Sequence, residues 1–378
     1  MPVNFLVHDA CFVVIYDGAM VLAAPSSARP PRDAHKIDEL ELARWLEMHV
    51  EDCRGGGRVS ALQFKGGQSN PTYWVGFTGN DGHEAQFVLR KKPPGQLLPS
   101  AHAVEREYRV IHALGEANVP VPRAIALCDD SSILGTPFFM MNYVPGRIFW
   151  DPRLLDVASS EERRAIYDDL VRALAMLHQV DYAAASLVDY GRVGGFVERQ
   201  VARWSKQYEA SRTSEVPAME ALLTHLRSHV PQNDETTLVH GDYRLDNVII
   251  APDRPKALAI IDWELSTLGH PISDLAYLCM GYHLALPGRG SLVGADLKGL
   301  GIPSEAEVIE AYCQHTGRGG IEHWPYFMAF GIFRLAAIAQ GVYKRSLQGN
   351  ASSDQASMYG AAVFALADLG CSMLGIRY

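Results

Sequence analysis

The sequence lacks a C-x-x-C pair, and its six cysteines are scattered along the chain. A structural zinc site needs clustered Cys and His ligands, so we expect none here. Isolated cysteines are typical of reduced core thiols, and we therefore expect a cytoplasmic protein. The cysteines are Cys11, Cys53, Cys128, Cys279, Cys313 and Cys371.

Long apolar runs are also missing, because no stretch reaches the roughly 18 apolar residues of a membrane span. The apolar stretch 11–25 is interrupted by Asp17 and Gly18, which we expect to turn a short hairpin, and it has no basic leader. Positive charge is in deficit, since 34 Lys and Arg against 43 Asp and Glu give a net charge of −9. We therefore expect no nucleic-acid or membrane partner, although a local basic site for a phosphorylated ligand remains open.

One polar segment lies between apolar runs typical of strands. Asp242 and Asn247 follow Leu238-Val239, and Asp262 follows Leu258-Ala259-Ile260-Ile261. Four residues separate Asp242 from Asn247, as in the protein-kinase catalytic loop, where H-R-D and N precede D-F-G. In phosphoryl transfer, one carboxylate orients the attacking hydroxyl, while an amide and a second carboxylate hold Mg²⁺ on the phosphates. The sequence predicts Asp242 as the catalytic base and Asn247 and Asp262 as magnesium ligands.

The segments 240–247 (H-G-D-x-x-x-x-N) and 261–264 (I-D-W-E) resemble the aminoglycoside phosphotransferase and choline kinase family. Two further stretches, 64–73 and 88–95, resemble one branch of it, which includes the kinase-like domain fused to some eukaryotic acyl-CoA dehydrogenases and free-standing bacterial relatives. The resemblance begins at about residue 37 and runs to the C-terminus. It implies an ATP- and Mg²⁺-dependent kinase acting on a hydroxyl of a small-molecule acceptor, and for this branch a hydroxyacyl-CoA.

The periodicity of the chain agrees with such a fold. After a helix over 37–50, alternating apolar residues and turn signals predict the order β-β-β-α-β-β up to residue 143. Val144-Pro145-Gly146 breaks the pattern, and the rest is mostly helical. We predict an α+β, two-lobed protein-kinase-like fold with a small β-rich N-lobe over 37–143 and a larger helical C-lobe over 144–378. Residues 1–36 are expected to be an N-terminal extension.

The resemblance implies a phosphate loop that includes Gly66, Gly67, Ser69 and Asn70. Glycines let the backbone approach the phosphates, and successive N–H groups form an anion nest. A plain Gly-Gly hairpin turn would have a similar sequence. The prediction of a phosphate loop therefore depends on the motifs at 240–247 and 261–264.

The third strand of the family usually ends with a lysine that contacts the α- and β-phosphates and pairs with a helix glutamate. Arg90 occupies that place here, with Lys92 in reserve, and Glu107 is the expected partner. Arginine keeps the positive charge, but it presents a planar guanidinium with several N–H donors where lysine presents a compact ammonium group. A solvated surface charge is the alternative for each of these residues.

The resemblance places adenine at the end of the fifth strand. Met141 would lie behind the base, and the backbone of Asn142 and Val144 would read its edge. His240 is expected to be a packed structural residue, and Asp274 resembles the family aspartate that braces the catalytic loop.

A CoA acceptor carries phosphates, so its site should contain cations in the helical half. Arg244 and Arg334 are the candidates, although Arg334 could equally be a packed structural ion pair and Arg244 a surface residue. Three alternatives stay open: an aminoglycoside or choline-type kinase, a nucleotide-binding pseudokinase, and a protein kinase. The protein kinase is disfavoured because no A-P-E activation segment follows Asp262.

Overall fold

The computed structural model describes residues 14–16, 19–21, 24–32, 35–64, 70–93, 103–285, 290–348 and 356–378. The chain folds into two compact units. The first unit comprises the described residues up to Ile148 together with Val248–Glu264, and the second comprises Phe149–Asn247 and Leu265–Tyr378.

The first unit is built on a six-stranded antiparallel sheet in the order β3-β4-β5-β6-β8-β7. Its strands are β3 (Ala28–Arg29), β4 (Gly57–Phe64), β5 (Thr72–Gly79), β6 (Glu84–Lys91), β7 (Ala124–Cys128) and β8 (Phe138–Asn142). The predicted order β-β-β-α-β-β is present, with a short helix, α3 (Ser131–Leu134), at the turn before β8. The predicted hairpin is also present, since β1 (Val14–Tyr16) pairs with β2 (Ala19–Val21).

Two helices accompany the sheet. Helix α1 (Glu39–His49) begins at Asp38, whose carboxylate accepts the N–H groups of Leu40 and Glu41 at 3.0 Å. Its buried face packs into the apolar core of the sheet through Trp45 and neighbouring residues. Helix α2 (Val104–Glu116) buries an apolar face in which one ionisable residue, Glu107, is included. A carboxylate at such a position needs partners, and they are found on β6 and beside it.

The second unit is mainly helical, as predicted. Its helices are α4 (Ser160–His178), α5 (Phe196–Ser211), α6 (Pro217–Ser228), α7 (Ile272–Cys279), α8 (Leu297–Leu300), α9 (Glu305–Thr316), α10 (Trp324–Leu347) and α11 (Ala356–Met373). Helix α10 has a mean hydropathy of 1.3 over 18 residues and is long enough to cross a membrane, which the sequence pattern did not indicate. However, 67% of that window is buried in the protein, where α10 packs against α5, α6, α7 and α11. We therefore assign it as a core helix.

Two short strand pairs frame the predicted catalytic segment. In the second unit β9 (Thr237–Val239) pairs with β12 (Thr267–Gly269), and in the first unit β10 (Val248–Ile250) pairs with β11 (Ala257–Ile260). These pairs fix the ends of the loops that carry the motifs. The five cysteines in the described part of the chain are free and buried, in agreement with the expected core thiols.

Candidate active site

The turn that carries Asp242 depends on a glycine. Gly241 has φ +83°, and a Cβ there would lie 2.6 Å from the carbonyl oxygen of Leu265. Both the left-handed backbone and the close approach exclude a larger residue. This explains why Gly241 stands where the protein-kinase motif has arginine.

Asp242 is surrounded by donors. The amide nitrogen of Asn247 donates to the carbonyl oxygen of Asp242 at 2.9 Å and to its Oδ2 at 3.1 Å. Arg244 Nη2 lies 3.5 Å from the same Oδ2, and the Tyr277 hydroxyl also bonds to the carboxylate. Burial, together with the Asp242 charge, raises the pKa of Tyr277, so its hydroxyl stays protonated as a donor. The Asp242 side chain is 17% exposed, which leaves part of it open to a substrate.

His240 and Asp274 hold the backbone on both sides of Asp242. Asp274 accepts the N–H of His240 at 2.6 Å and the N–H of Gly241 at 2.8 Å, and His178 Nε2 lies 3.3 Å from it. Burial would raise the pKa of Asp274, but the bonds and charge of its donors keep it below the ordinary value. His240 is fully buried, and its Nδ1 accepts the N–H of Asp242 at 3.2 Å. Both side chains thus contact the loop backbone.

Arg90 is the buried centre of a charge cluster in the first unit. Its Nε lies 2.8 Å from Glu107 Oε2, and its Nη2 lies 2.8 Å from Asp262 Oδ1 and 3.4 Å from Glu264 Oε2. Burial lowers the pKa of an arginine, but the three carboxylates raise that of Arg90 above its ordinary value. The guanidinium therefore remains charged. The predicted pairing of Arg90 with Glu107 is present, whereas sequence reasoning missed Glu264.

Three carboxylates share this single guanidinium. Burial raises the pKa of Glu107 to about 7, although the charge of Arg90 acts in the opposite direction. The neighbouring Asp262 and Glu264 add to the increase, while the amide of Asn70 donates to Glu107 Oε1 at 2.7 Å and opposes it. Three carboxylates thus converge on the guanidinium of Arg90.

Lys92 lies outside that cluster. It follows the last residue of β6, and its Nζ pairs with Glu105 at 2.9 Å on a largely exposed part of α2. Arg90, and not Lys92, thus contacts Glu107. The contact of Arg90 with a phosphate stays a prediction.

The other residues predicted to bind the nucleotide have different environments. Gly66, Gly67 and Ser69 lie outside the described residues. The side chain of Asn70 is fully buried against Glu107, and the contact of its backbone with the phosphates stays a prediction. The residues predicted to contact adenine lie at the end of β8 and just past it. Met141 is buried, and Asn142 and Val144 are half-buried. The Oδ1 atom of Asn142 accepts the N–H of Arg123 at 2.5 Å.

Asp262 adopts a strained backbone with φ +68°. Aspartate tolerates this left-handed conformation at a cost of about 1 kcal/mol, and such residues cluster at ligand sites. The indole N–H of Trp263, which donates to the carbonyl of Ile260 at 2.9 Å, stabilises the turn. The sequence contains no signal for this feature.

The two arginines proposed for the acceptor have different environments. Arg334 Nη1 donates to the carbonyl of Gly241 at 2.8 Å, and its guanidinium lies 5.4 Å from the Trp204 ring and 5.3 Å from the Tyr277 ring. These contacts hold the catalytic loop, and none of them is the ion pair that the sequence left open. Arg244 contacts Asp242 and, through Nε, Asp246 at 3.1 Å.

The two predicted magnesium ligands are oxygen donors, which are the ligands that Mg²⁺ prefers. Within the described part of the chain, no group of three or more His, Cys, Asp and Glu side chains forms a metal site. Mg²⁺ in kinases needs one or two hard oxygen ligands from the protein. Asn247 in the second unit and Asp262 in the first each offer one, and the Asp262 side chain is 37% exposed.

The fold is that of a kinase-like phosphotransferase. Residues 60–320 match the phosphotransferase enzyme family, and the chain belongs to that family. It is 46% identical over 350 residues to mouse acyl-CoA dehydrogenase family member 10, covering 92% of this chain and 32% of that protein. It is 42% identical to rat family member 11, covering 90% of this chain and 43% of that protein. The chain therefore spans a third to under half of these relatives.

Solved structures show the same fold. A Ralstonia eutropha protein assigned to the aminoglycoside phosphotransferases superposes with a TM-score of 0.80 at 43% identity, covering 90% of this chain and 99% of that one. A thermostable variant of aminoglycoside phosphotransferase APH(4)-Ia was solved with ADP and hygromycin B. It superposes with a TM-score of 0.55 at 13% identity, covering 87% of this chain and 99% of that one. The predicted α+β protein-kinase-like fold is confirmed.

Proposed function

We propose that this protein transfers the γ-phosphoryl group of ATP to a hydroxyl group of a small molecule, with Mg²⁺. The observation that carries the proposal is the environment of Asp242, which is partly exposed, held by a braced loop and contacted by donors from Asn247, Arg244 and Tyr277. Phosphoryl transfer depends mainly on positioning and charge neutralisation, and this arrangement provides both.

In the proposed reaction, the hydroxyl oxygen of the acceptor attacks the γ-phosphorus. The bond from that phosphorus to the β–γ bridging oxygen breaks, and ADP leaves with the bonding electrons. Asp242 accepts the hydroxyl proton and releases it to solvent. Asn247 keeps the Asp242 carboxylate oriented through the 3.1 Å contact.

Arg90 would contact the phosphates, and Asn247 and Asp262 would hold Mg²⁺. When bound, Mg²⁺ neutralises phosphate charge. The exposure of the Asp262 side chain, 37%, supports its assignment, because a metal ion can reach the carboxylate. Glu107 positions Arg90 from within the buried face of α2.

For the acceptor we propose a hydroxyacyl-CoA. The support is the similarity to two acyl-CoA dehydrogenase family members over nearly the whole chain. An aminoglycoside is the second candidate, since APH(4)-Ia has the same fold and was solved with hygromycin B.

A mass-spectrometric screen tests the proposal. The purified protein is incubated with ATP, Mg²⁺ and, separately, hydroxyacyl-CoAs, aminoglycosides or choline, with Asp242→Asn as the inactive control. A mass increase of one phosphoryl group on a hydroxyacyl-CoA, absent in the control, is the expected result. Nucleotide binding without transfer to any acceptor would identify a pseudokinase instead.

A further inference from the structure

A cavity in the second unit adjoins Asp242. Apolar side chains form most of its wall, and these include Tyr167, Met280, Tyr282, Leu284, Leu292 and Leu335. The same wall also contains Arg244, Asp246 and Tyr277. Two of these three contact the carboxylate of Asp242: Arg244 Nη2 at 3.5 Å, and Tyr277 through its hydroxyl. Two residues of the cavity wall thus also contact the proposed catalytic base.

In the described part of the chain, the charged residues of this wall are Arg244 and Asp246. Arg244 Nε lies 3.1 Å from Asp246 Oδ1, so the acidic residue of the lining is already paired. A polycationic sugar would need several unpaired carboxylates in its site. An aliphatic chain needs apolar surface, which most of this wall offers.

We propose that this cavity binds the aliphatic chain of the acceptor and so presents its hydroxyl to Asp242. The enzyme then selects hydroxyl compounds with an apolar chain and discriminates against polycationic sugars. This inference rests on the proposed function and assigns its acceptor selectivity to particular residues.

Gly281 provides a way to test the cavity. It lines the wall between Met280 and Tyr282, and a Cβ at this position would meet no atom within 4 Å. Its carbonyl accepts the N–H of Leu292 at 3.2 Å, a backbone bond that a substitution preserves. Gly281→Leu therefore adds an apolar side chain where there is open space, and Gly281→Ala makes a smaller change in the same place.

Gly319 offers a matched control. It lines a different cavity, with Glu235, His270 and Arg318 in its wall, and a Cβ there would also meet no atom within 4 Å. Gly319→Leu is thus the same chemical change at a distinct site. It is expected to leave acceptor preference as in the wild type.

The experiment measures kcat/KM for hydroxyacyl-CoAs of increasing chain length. Each buried methylene should raise the wild-type value about four-fold until the cavity is filled. In Gly281→Leu the increment should fall below about 1.5-fold per methylene, with Gly281→Ala between the two. Equal chain-length dependence in the wild type and Gly281→Leu would overturn the cavity assignment while leaving the proposed function intact.

Binding without ATP separates the two proposals. Calorimetry with free hydroxyalkanoic acids should show that affinity increases with chain length in the wild type and Gly319→Leu, and is weakened at least ten-fold in Gly281→Leu. If no thioester is phosphorylated but this pattern holds, the proposed acceptor is wrong and the cavity assignment stands. If the wild type binds no hydroxyalkanoic acid of any length, the cavity assignment is wrong.

Discussion

Arg90 pairs with Asp262, their Nη2 and Oδ1 atoms lying 2.8 Å apart. The cation proposed for the phosphates is thus bound to the carboxylate proposed for the metal. A magnesium ion that binds Asp262 has to share this carboxylate with Arg90 or displace it. The state of this pair should therefore differ between the free protein and its Mg²⁺–nucleotide complex.

Asp262→Ala should weaken the thermal stabilisation that Mg²⁺ and ATP confer together. A ligand that binds only the folded state raises the melting temperature by mass action. Removing a side chain that binds the metal therefore makes this increase in melting temperature smaller. Differential scanning fluorimetry with and without Mg²⁺–ATP measures it. Glu264→Gln serves as the control, because it removes a carboxylate charge from the same cluster but keeps Asp262. An undiminished gain in Asp262→Ala would exclude a metal-ligand role.

Asp242→Asn should reduce turnover by roughly 10²–10⁴ while nucleotide affinity stays near the wild-type value. An amide cannot accept the hydroxyl proton, but it has almost the same shape. Single-turnover transfer assays and nucleotide titrations measure the two quantities. Asp253→Asn is the matched control, since Asp253 is largely exposed. Transfer within a few-fold of the wild type would rule out Asp242 as the base.

Arg90→Ala should raise the KM for ATP and lower both turnover and stability. The change leaves Glu107, Asp262 and Glu264 without their shared cation, and the loss of a buried partner costs about 3–5 kcal/mol. Lys92→Ala removes an exposed pair with Glu105 and should cost less than about 1 kcal/mol. Steady-state kinetics and urea unfolding compare the two variants. The reverse ranking would move the phosphate contact to Lys92.

The contribution of Glu107 to the stability of the metal- and nucleotide-free protein should fall as pH rises from about 5 to 8. The pKa of Glu107 is raised from 4.5 to about 7 in the folded protein, so across that interval the folded state binds more protons than the unfolded chain. Glu107→Gln removes this group, and the wild type should lose up to about 1 kcal/mol per pH unit relative to the variant.

Urea unfolding at several pH values, with the variant subtracted from the wild type, measures the Glu107 effect. Glu105→Gln is the control, because the Glu105 side chain is 50% exposed. A difference that is flat, or that rises with pH, would contradict the assignment.

Arg244→Ala and Arg334→Ala should have different kinetic effects. Arg334 holds the carbonyl of Gly241, so its loss should lower kcat by displacing the loop. Arg244 lines the cavity beside Asp242, so its loss should mainly raise the KM of the acceptor. Steady-state kinetics with both substrates varied distinguishes the two. An increase confined to the KM of the acceptor in Arg334→Ala would restore a direct contact for that residue.

The elements and the motif positions were largely predictable from the sequence. Strand alternation and helix periodicity are local patterns, and the observed strands β4 to β8 lie close to the predicted ones. Asp242 and Asn247 are also close in the sequence and belong to one loop. Within that loop the side-chain amide of Asn247 donates to the carbonyl oxygen of Asp242 at 2.9 Å. The pairing of Arg90 with Glu107 was predicted from the resemblance to the kinase family.

The sequence by itself determined which residue types are available and which of them are neighbours along the chain. Only the tertiary structure decided that Tyr277 and Arg334, from α7 and α10, reach the catalytic loop, and that Glu264 shares Arg90 with Glu107. It also fixed the left-handed backbone of Asp262 and the apolar wall beside Asp242. The physical reason is that these contacts depend on how helices and strands distant in the sequence pack together, and no local periodicity encodes that packing.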